Sequence, residues 1–97
     1  DCTLQPEFSI SLDLTKIEFP LILRTWKDGD YFYPEGMRGK KKLKDFYRDS
    51  KLSIPEKEHQ WILTDKNHIL WIIGKRKDKR SLSVKTGKNT LNLVWNR

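Results

Sequence analysis

Ninety-seven residues carry 20 Lys and Arg against 13 Asp and Glu, a formal net charge of +7, with 36% hydrophobic and 11% aromatic residues. Apolar runs at that aromatic content exclude a disordered tail, and the length suits one folded domain over residues 1–97. No apolar run is long enough to span a bilayer, and a single cysteine, Cys2, excludes an internal disulfide and, without a Cys/His cluster, a zinc framework.

A lone cysteine suits a reducing, cytoplasmic setting. The opening "DCTLQPEF" has neither the basic nor the apolar part of a signal peptide. With its sole methionine at Met37, the chain is expected to be a piece of a longer protein.

Phe8 to Leu14 alternates strictly, with Phe8, Ile10, Leu12 and Leu14 on one side, which predicts a half-buried strand. Ile17 to Thr25 is a second extended run, and Pro20 inside it makes it an edge strand or a bulged one. Trp26 to Gly39 is punctuated by Gly29, Pro34, Gly36 and Gly39, so it is a loop. It also holds Tyr31, Phe32 and Tyr33, which could stack on bases, although at least two are expected to anchor it in the core. Lys40 to Leu52 reads as the main helix, with Leu43, Phe46, Tyr47 and Ser50 on its inner side. Ser53 to Glu56 has capping-box spacing and predicts a further short helical turn. "QWILTD" and "HILWIIG" form a hairpin around Asp65–Asn67, and the unbroken run Ile69 to Ile73 predicts a central strand covered on both faces. Two last strands, Arg80 to Lys85 and Thr90 to Trp95, flank a turn at Gly87. The four tryptophans, Trp26, Trp61, Trp71 and Trp95, are core candidates. The expected class is α+β, a small mixed β-sheet sandwich of about six strands with one main helix.

The positive charge is not scattered. Segment 38–51 holds seven Lys/Arg against two Asp and segment 75–80 five against one, so the rest of the chain is net acidic. Clustered cations are what a polyanion binder needs. Lys41, Lys44, Arg48 and Lys51 share one helical face and can track a phosphate backbone; the alternative is a solvated face with ion pairs to Asp45 and Asp49. The run Lys40, Lys41, Lys42 and the second cluster favour binding. That second cluster, Lys75 to Arg80, is alternatively a gatekeeper turn that keeps an apolar strand soluble. Glycines 29, 36 and 39 fit neither a Walker loop nor a dinucleotide fingerprint, so they are read as turn formers, with a phosphate cradle of exposed amides as the alternative. His59 and His68 have no paired nucleophile or ligand spacing, and no catalytic residue is assigned.

The separated blocks "LRTWKDGDYFYPEGMRGKKKLKDFYRDSKL" and "WIIGKRKDKR" resemble the C-terminal domain of bacterial tRNA(Ile)-lysidine synthetase. The shared pattern is Arg24, Gly29-Asp30, Phe32, Pro34, Gly36-Met37, Gly39, then Lys42-Leu43-Lys44-Asp45-Phe46. Asp49 and Lys51 follow, then Trp71, Gly74 with Arg76, and Asp78 with Arg80. Two departures stand out: Lys77 replaces a usually apolar residue, which implies an exposed edge, and Lys57 and Glu58 occupy a region that usually carries an arginine.

The resemblance implies a small sheet sandwich with a helix, shared with a domain of the phenylalanyl-tRNA synthetase β chain. It implies the tRNA-recognition end of an ATP-dependent ligase that attaches lysine to the wobble cytidine of tRNA(Ile), gripping the acceptor-stem side. This chain would not be an enzyme on its own. ATP and Mg would belong to an absent N-terminal catalytic domain, and partners would be tRNA(Ile), that domain and, in the full-length enzyme, a second copy. The expected RNA-binding residues are Arg38, Lys40, Lys41, Lys42, Lys44, Arg48 and Lys51, with Arg24, Arg76 and Arg80 as a second group; no catalytic or metal-binding residue is expected. A basic docking module that packs on the rest of its enzyme is the alternative.

Overall fold

The computed structural model describes residues 8–83 and 89–95. Its middle layer is a four-stranded antiparallel sheet in the order β2–β5–β6–β7, formed by β2 (Ile22–Arg24), β5 (Ile62–Thr64), β6 (Ile69–Ile72) and β7 (Arg76–Lys77). β1 (Ser9–Asp13) and β8 (Thr90–Val94) pair as a separate antiparallel ribbon. A third small sheet joins β3 (Tyr31–Phe32) to β4 (Lys41–Lys42), which leads into helix α1 (Leu43–Asp49); helix α2 (Ile54–His59) follows. The expected α+β class holds. Every strand pairing among the described residues is antiparallel, and the short helical turn expected at Ser53–Glu56 is present as α2.

β6 is covered on both faces, as its apolar run requires, and all four of its residues are buried. On one side lie Ile10 and Leu12 of β1, with Ile17, Leu63, Leu70, Trp71 and Ile73; partly buried Leu91, Leu93 and Trp95 complete that cluster. On the other side lie Phe32, Leu43, Phe46 and Tyr47, against Ile62, Ile69 and Ile72. Leu70 and Trp71 share a cluster although strand neighbours normally alternate. The register explains this: Thr64 pairs with Ile69 but Leu63 pairs with Trp71, so Leu70 is the extra residue of a β-bulge.

Several expectations need correction. The main helix starts at Leu43 rather than at residue 40, because Lys41 and Lys42 pair with Phe32 and Tyr31. It ends at Asp49 in a Schellman pattern: the Leu52 N–H donates to the Tyr47 carbonyl and the Lys51 N–H to that of Arg48. Lys51 occupies the left-handed position of that motif (φ 59°), where glycine is usual. Pro20 lies outside the strand, which is only Ile22–Arg24. Arg80 sits in a 3-10 turn, Lys79–Ser81, rather than opening a strand; residues 84–88, with the turn expected at Gly87, lie outside the described residues. Trp71 is buried and Trp26 and Trp95 are partly so, but Trp61 is exposed. Of the three adjacent aromatics only Phe32 is fully buried; Tyr33 is half-buried and Tyr31 exposed. Lys77 is half-buried, not exposed. The capping box on α2 is present, with Ser53 Oγ accepting from the Glu56 N–H and Glu56 Oε1 from the Ser53 N–H.

Candidate nucleic-acid interface

The loop before β3 is held by one carboxylate. Arg24 donates from Nη1 to Asp30 Oδ2 at 2.8 Å and from Nη2 to Oδ1 at 3.1 Å, and the Lys27 N–H reaches Oδ2 at 2.6 Å. The Asp30 carbonyl in turn accepts from the Leu43 N–H at the helix start. Arg24 therefore spends its fork, the geometry that suits guanidinium to carboxylate, on the protein itself. Burial, with Asp30 close by, pushes the phenol of neighbouring Tyr47 upward.

Asp78 does the same work at the other end of β3. It is fully buried, accepts from the N–H groups of Tyr33 (2.9 Å) and Arg80 (2.7 Å), and pairs with the Arg80 guanidinium at 3.0 Å. Arg76 Nη1 donates to the Glu35 carbonyl and Lys79 Nζ to that of Met37. The second basic cluster thus folds back over the 33–37 loop and ties it down.

A further set of cations lies beyond that loop. Met37, Arg38, Lys40, Lys41, Lys42 and Arg48, with Asp45 and Asp49, line an open cleft of about 470 Å³. Five of the ten expected contact residues meet there, against two carboxylates. Lys41 Nζ pairs with Asp49 at 2.6 Å, and Arg48 lies 3.4 Å from Asp45 and 3.7 Å from Asp49. The hydrogen bond and charge of Lys41 hold the Asp49 carboxyl below the usual range. Arg38, Lys42, Lys44 and Lys51 have no ion pair with another described residue. Lys44 and Lys51 do not line the cleft, and Lys41 belongs to β4, so the expected four-residue helical stripe is not one continuous face.

Tyr31 and Tyr33 lie outside the ten expected contact residues, although the sequence allowed them to stack on bases. Their rings meet edge to face at 6.2 Å, with Lys40 Nζ 4.6 Å over Tyr31 and Arg80 Cζ 4.3 Å over Tyr33. This cation–ring–ring–cation line joins the two basic clusters. Alternation along β3, with Phe32 inward, was the available sign that Tyr31 faces out.

His68 shows a second unforeseen arrangement. Its Nε2 lies 2.8 Å from Ser81 Oγ and its Nδ1 3.3 Å from Asp65, the order of a hydrolytic triad. Ser81 is fully buried, and the adjoining cleft is lined by Asp65 and His68 but not by Ser81. The line therefore ties the β5–β6 turn to the 3-10 turn and offers no reachable nucleophile. Among the described residues, no group of three or more His, Cys, Asp or Glu is placed to hold a metal, and no helix is long and apolar enough to cross a membrane.

A family model described as the TilS substrate C-terminal domain matches residues 21–95. The chain belongs to this family. A tRNA(Ile)-lysidine synthase of Parabacteroides distasonis is 52% identical over 69 residues, covering 71% of this chain and 16% of that protein. One of Bacteroides thetaiotaomicron is 42% identical over 79 residues, covering 81% and 18%. The chain thus spans about a sixth of the length of these relatives. A crystal structure of a TilS C-terminal domain superposes with a TM-score of 0.78 at 24% identity, covering all of this chain and 78% of that one, and shows the shared fold. In this TilS substrate C-terminal domain the motif residues divide by task. Arg24, Asp30, Asp78 and Arg80 build the frame, while Lys42, Lys44 and Lys51 stand on its surface.

Proposed function

We propose that this chain is the tRNA-binding domain of a tRNA(Ile)-lysidine synthase, the ATP-dependent ligase that attaches lysine to the wobble cytidine of tRNA(Ile), and that it grips the acceptor-stem side. The observation that carries this is the cleft where Arg38, Lys40, Lys41, Lys42 and Arg48 converge beside Tyr31, in a chain of this family. Side chains cannot read the deep, narrow major groove of A-form RNA, so such a surface works through phosphates and 2′-hydroxyls. Phosphate contacts set register and affinity, and the choice among tRNAs falls mainly to other parts of the enzyme. Catalysis, with its ATP and Mg, is placed in the remainder of the synthase, in the cytoplasm.

The test is a titration against a tRNA(Ile) transcript and a stem-swapped control, each at low and moderate salt. Salt-steep binding that weakens with the swapped stem supports the reading; the absence of binding at low salt refutes it. A docking role on the rest of the enzyme draws on a different observation. β2 is an edge strand, and Phe19, Ile22 and Leu23 beside it are 59%, 45% and 47% exposed. Docking there would be insensitive to salt and to loss of the lysines.

A further inference from the structure

A second open cleft, of about 370 Å³, lies where β1 begins, α2 ends and β6 turns into β7. Phe8, Trp61 and Trp95 line it, with His59 and Lys75 also at its walls. We propose that this cleft stacks an unpaired nucleotide of a single RNA strand. The site lies apart from the cationic interface and rests on the RNA-binding reading only for the kind of polymer that reaches it.

The rings are held in place by backbone bonds. The Ile73 N–H donates to the Trp61 carbonyl, and the Trp95 N–H to that of Phe8. Phe8 lies over the β6–β7 turn at Gly74, where a Cβ would come 3.0 Å from Phe8 Cε1. Gly74 has φ +80°, so the turn itself calls for glycine and leaves the ring its seat. Trp61 and Phe8 nevertheless remain 44% and 37% exposed. Large flat rings kept rigid and in contact with water are what base stacking requires.

The rest of the lining favours a nucleotide over an apolar protein segment. Among the described residues that line it, Ile73 is the only aliphatic one. Lys75 supplies a cation for a phosphate. His59 Nδ1 lies 2.8 Å from the Pro55 carbonyl, which leaves Nε2 as its available edge. Glu56, close enough to Lys75 to feel its charge, is engaged in the capping box with Ser53. Lys75 also opens the basic run whose later members, Arg76 and Lys79, bind the carbonyls of Glu35 and Met37. Cations therefore lead from the Lys/Arg cleft across β7 to the aromatic one, a path suited to a strand leaving a duplex end.

The test is titration of this 97-residue chain with single-stranded tetraadenylate, read by tryptophan fluorescence. Saturable quenching is expected, absent with a short RNA duplex. Trp61→Ala and Lys75→Ala should each weaken it by about tenfold, and both side chains are exposed, so thermal unfolding should confirm that the variants fold. Arg38→Ala/Lys42→Ala/Lys44→Ala should lose tRNA affinity yet keep tetraadenylate quenching, which separates failure of this proposal from failure of the interface reading. No quenching, or quenching unchanged in both single variants, overturns the proposal. So does a Trp61 equally shielded from acrylamide in RNA-free full-length synthase, since that outcome assigns the cleft to packing against the rest of the enzyme.

Discussion

Arg80 and Lys42 carry the same charge and lie in the same family motif, yet their surroundings are opposite. Arg80 is fixed on a fully buried carboxylate and covers a tyrosine ring; Lys42 is exposed and has no ion pair with a described residue. Arg24 repeats the first pattern on Asp30, and Arg38 and Lys44 repeat the second. Arg24 and Arg80, each committed to a carboxylate, are already neutralised and shape the loop, whereas Lys41 and Arg48 share Asp45 and Asp49 within the cleft. Cations without a carboxylate still have their counterions to release when a phosphate arrives. In this domain the count of basic residues therefore says less about binding than the count of carboxylates within their reach.

The largest effect should come from Asp78→Ala. It strands the Arg80 guanidinium and the N–H groups of Tyr33 and Arg80, and removing one partner of a buried pair costs about 3–5 kcal/mol. Denaturant unfolding reads it, and a loss below about 1 kcal/mol would mean that water already serves those donors. Next is Arg38→Ala/Lys42→Ala/Lys44→Ala. Stability should change little, because none of the three is ion-paired. Affinity for tRNA should drop, and the slope of log K against log salt should flatten by roughly 2 to 3. An unchanged slope would place the contact surface elsewhere.

A third effect depends on pH. Burial pushes the Asp65 carboxyl up, but the N–H groups of Glu18, Asn67 and His68 outweigh it, and the net shift is downward. A depressed folded value means that the stabilisation is complete above the usual carboxylate range and is lost as pH falls through the folded value. Asp65→Asn should therefore lower stability near neutral pH and reduce its acid dependence below about pH 4. A denaturation series from acid to neutral pH that runs parallel to the parent would contradict this. The smallest effect is expected from Lys51→Gly. It relieves a left-handed lysine and should gain roughly 0.5–1 kcal/mol in thermal stability, while tRNA binding weakens slightly. A gain in stability with no loss in binding would remove Lys51 from the interface.

Much of the fold was legible because it depends on local pattern. The alternation of Phe8 to Leu14, the apolar run of β6 and the Ser53–Glu56 capping box each point to their element without outside help. The start of α1 was not legible, since Lys40 to Lys42 are good helix formers and only pairing with Tyr31 and Phe32 keeps Lys41 and Lys42 extended. The bulge at Leu70 was hidden for a similar reason: register is a property of two strands. At the site, residue types could be read but partners could not. Asp30 lies six residues from Arg24 and Asp78 two from Arg80, yet nothing in those spacings says that the pairs are part-buried and two-pronged. Likewise Trp61 looked like core because its hydrophobicity is visible and its neighbours are not.

The most direct test of the central claim is lysine footprinting. The full-length synthase would be acetylated briefly with and without tRNA(Ile), and each lysine read by mass spectrometry. Protection of Lys40, Lys42 and Lys44, with Lys16 and Lys66 equally reactive in both states, is the result expected from a phosphate-gripping rim beyond the 33–37 loop. Unprotected Lys42 and Lys44, with protection at Lys16 or Lys66 instead, would contradict it.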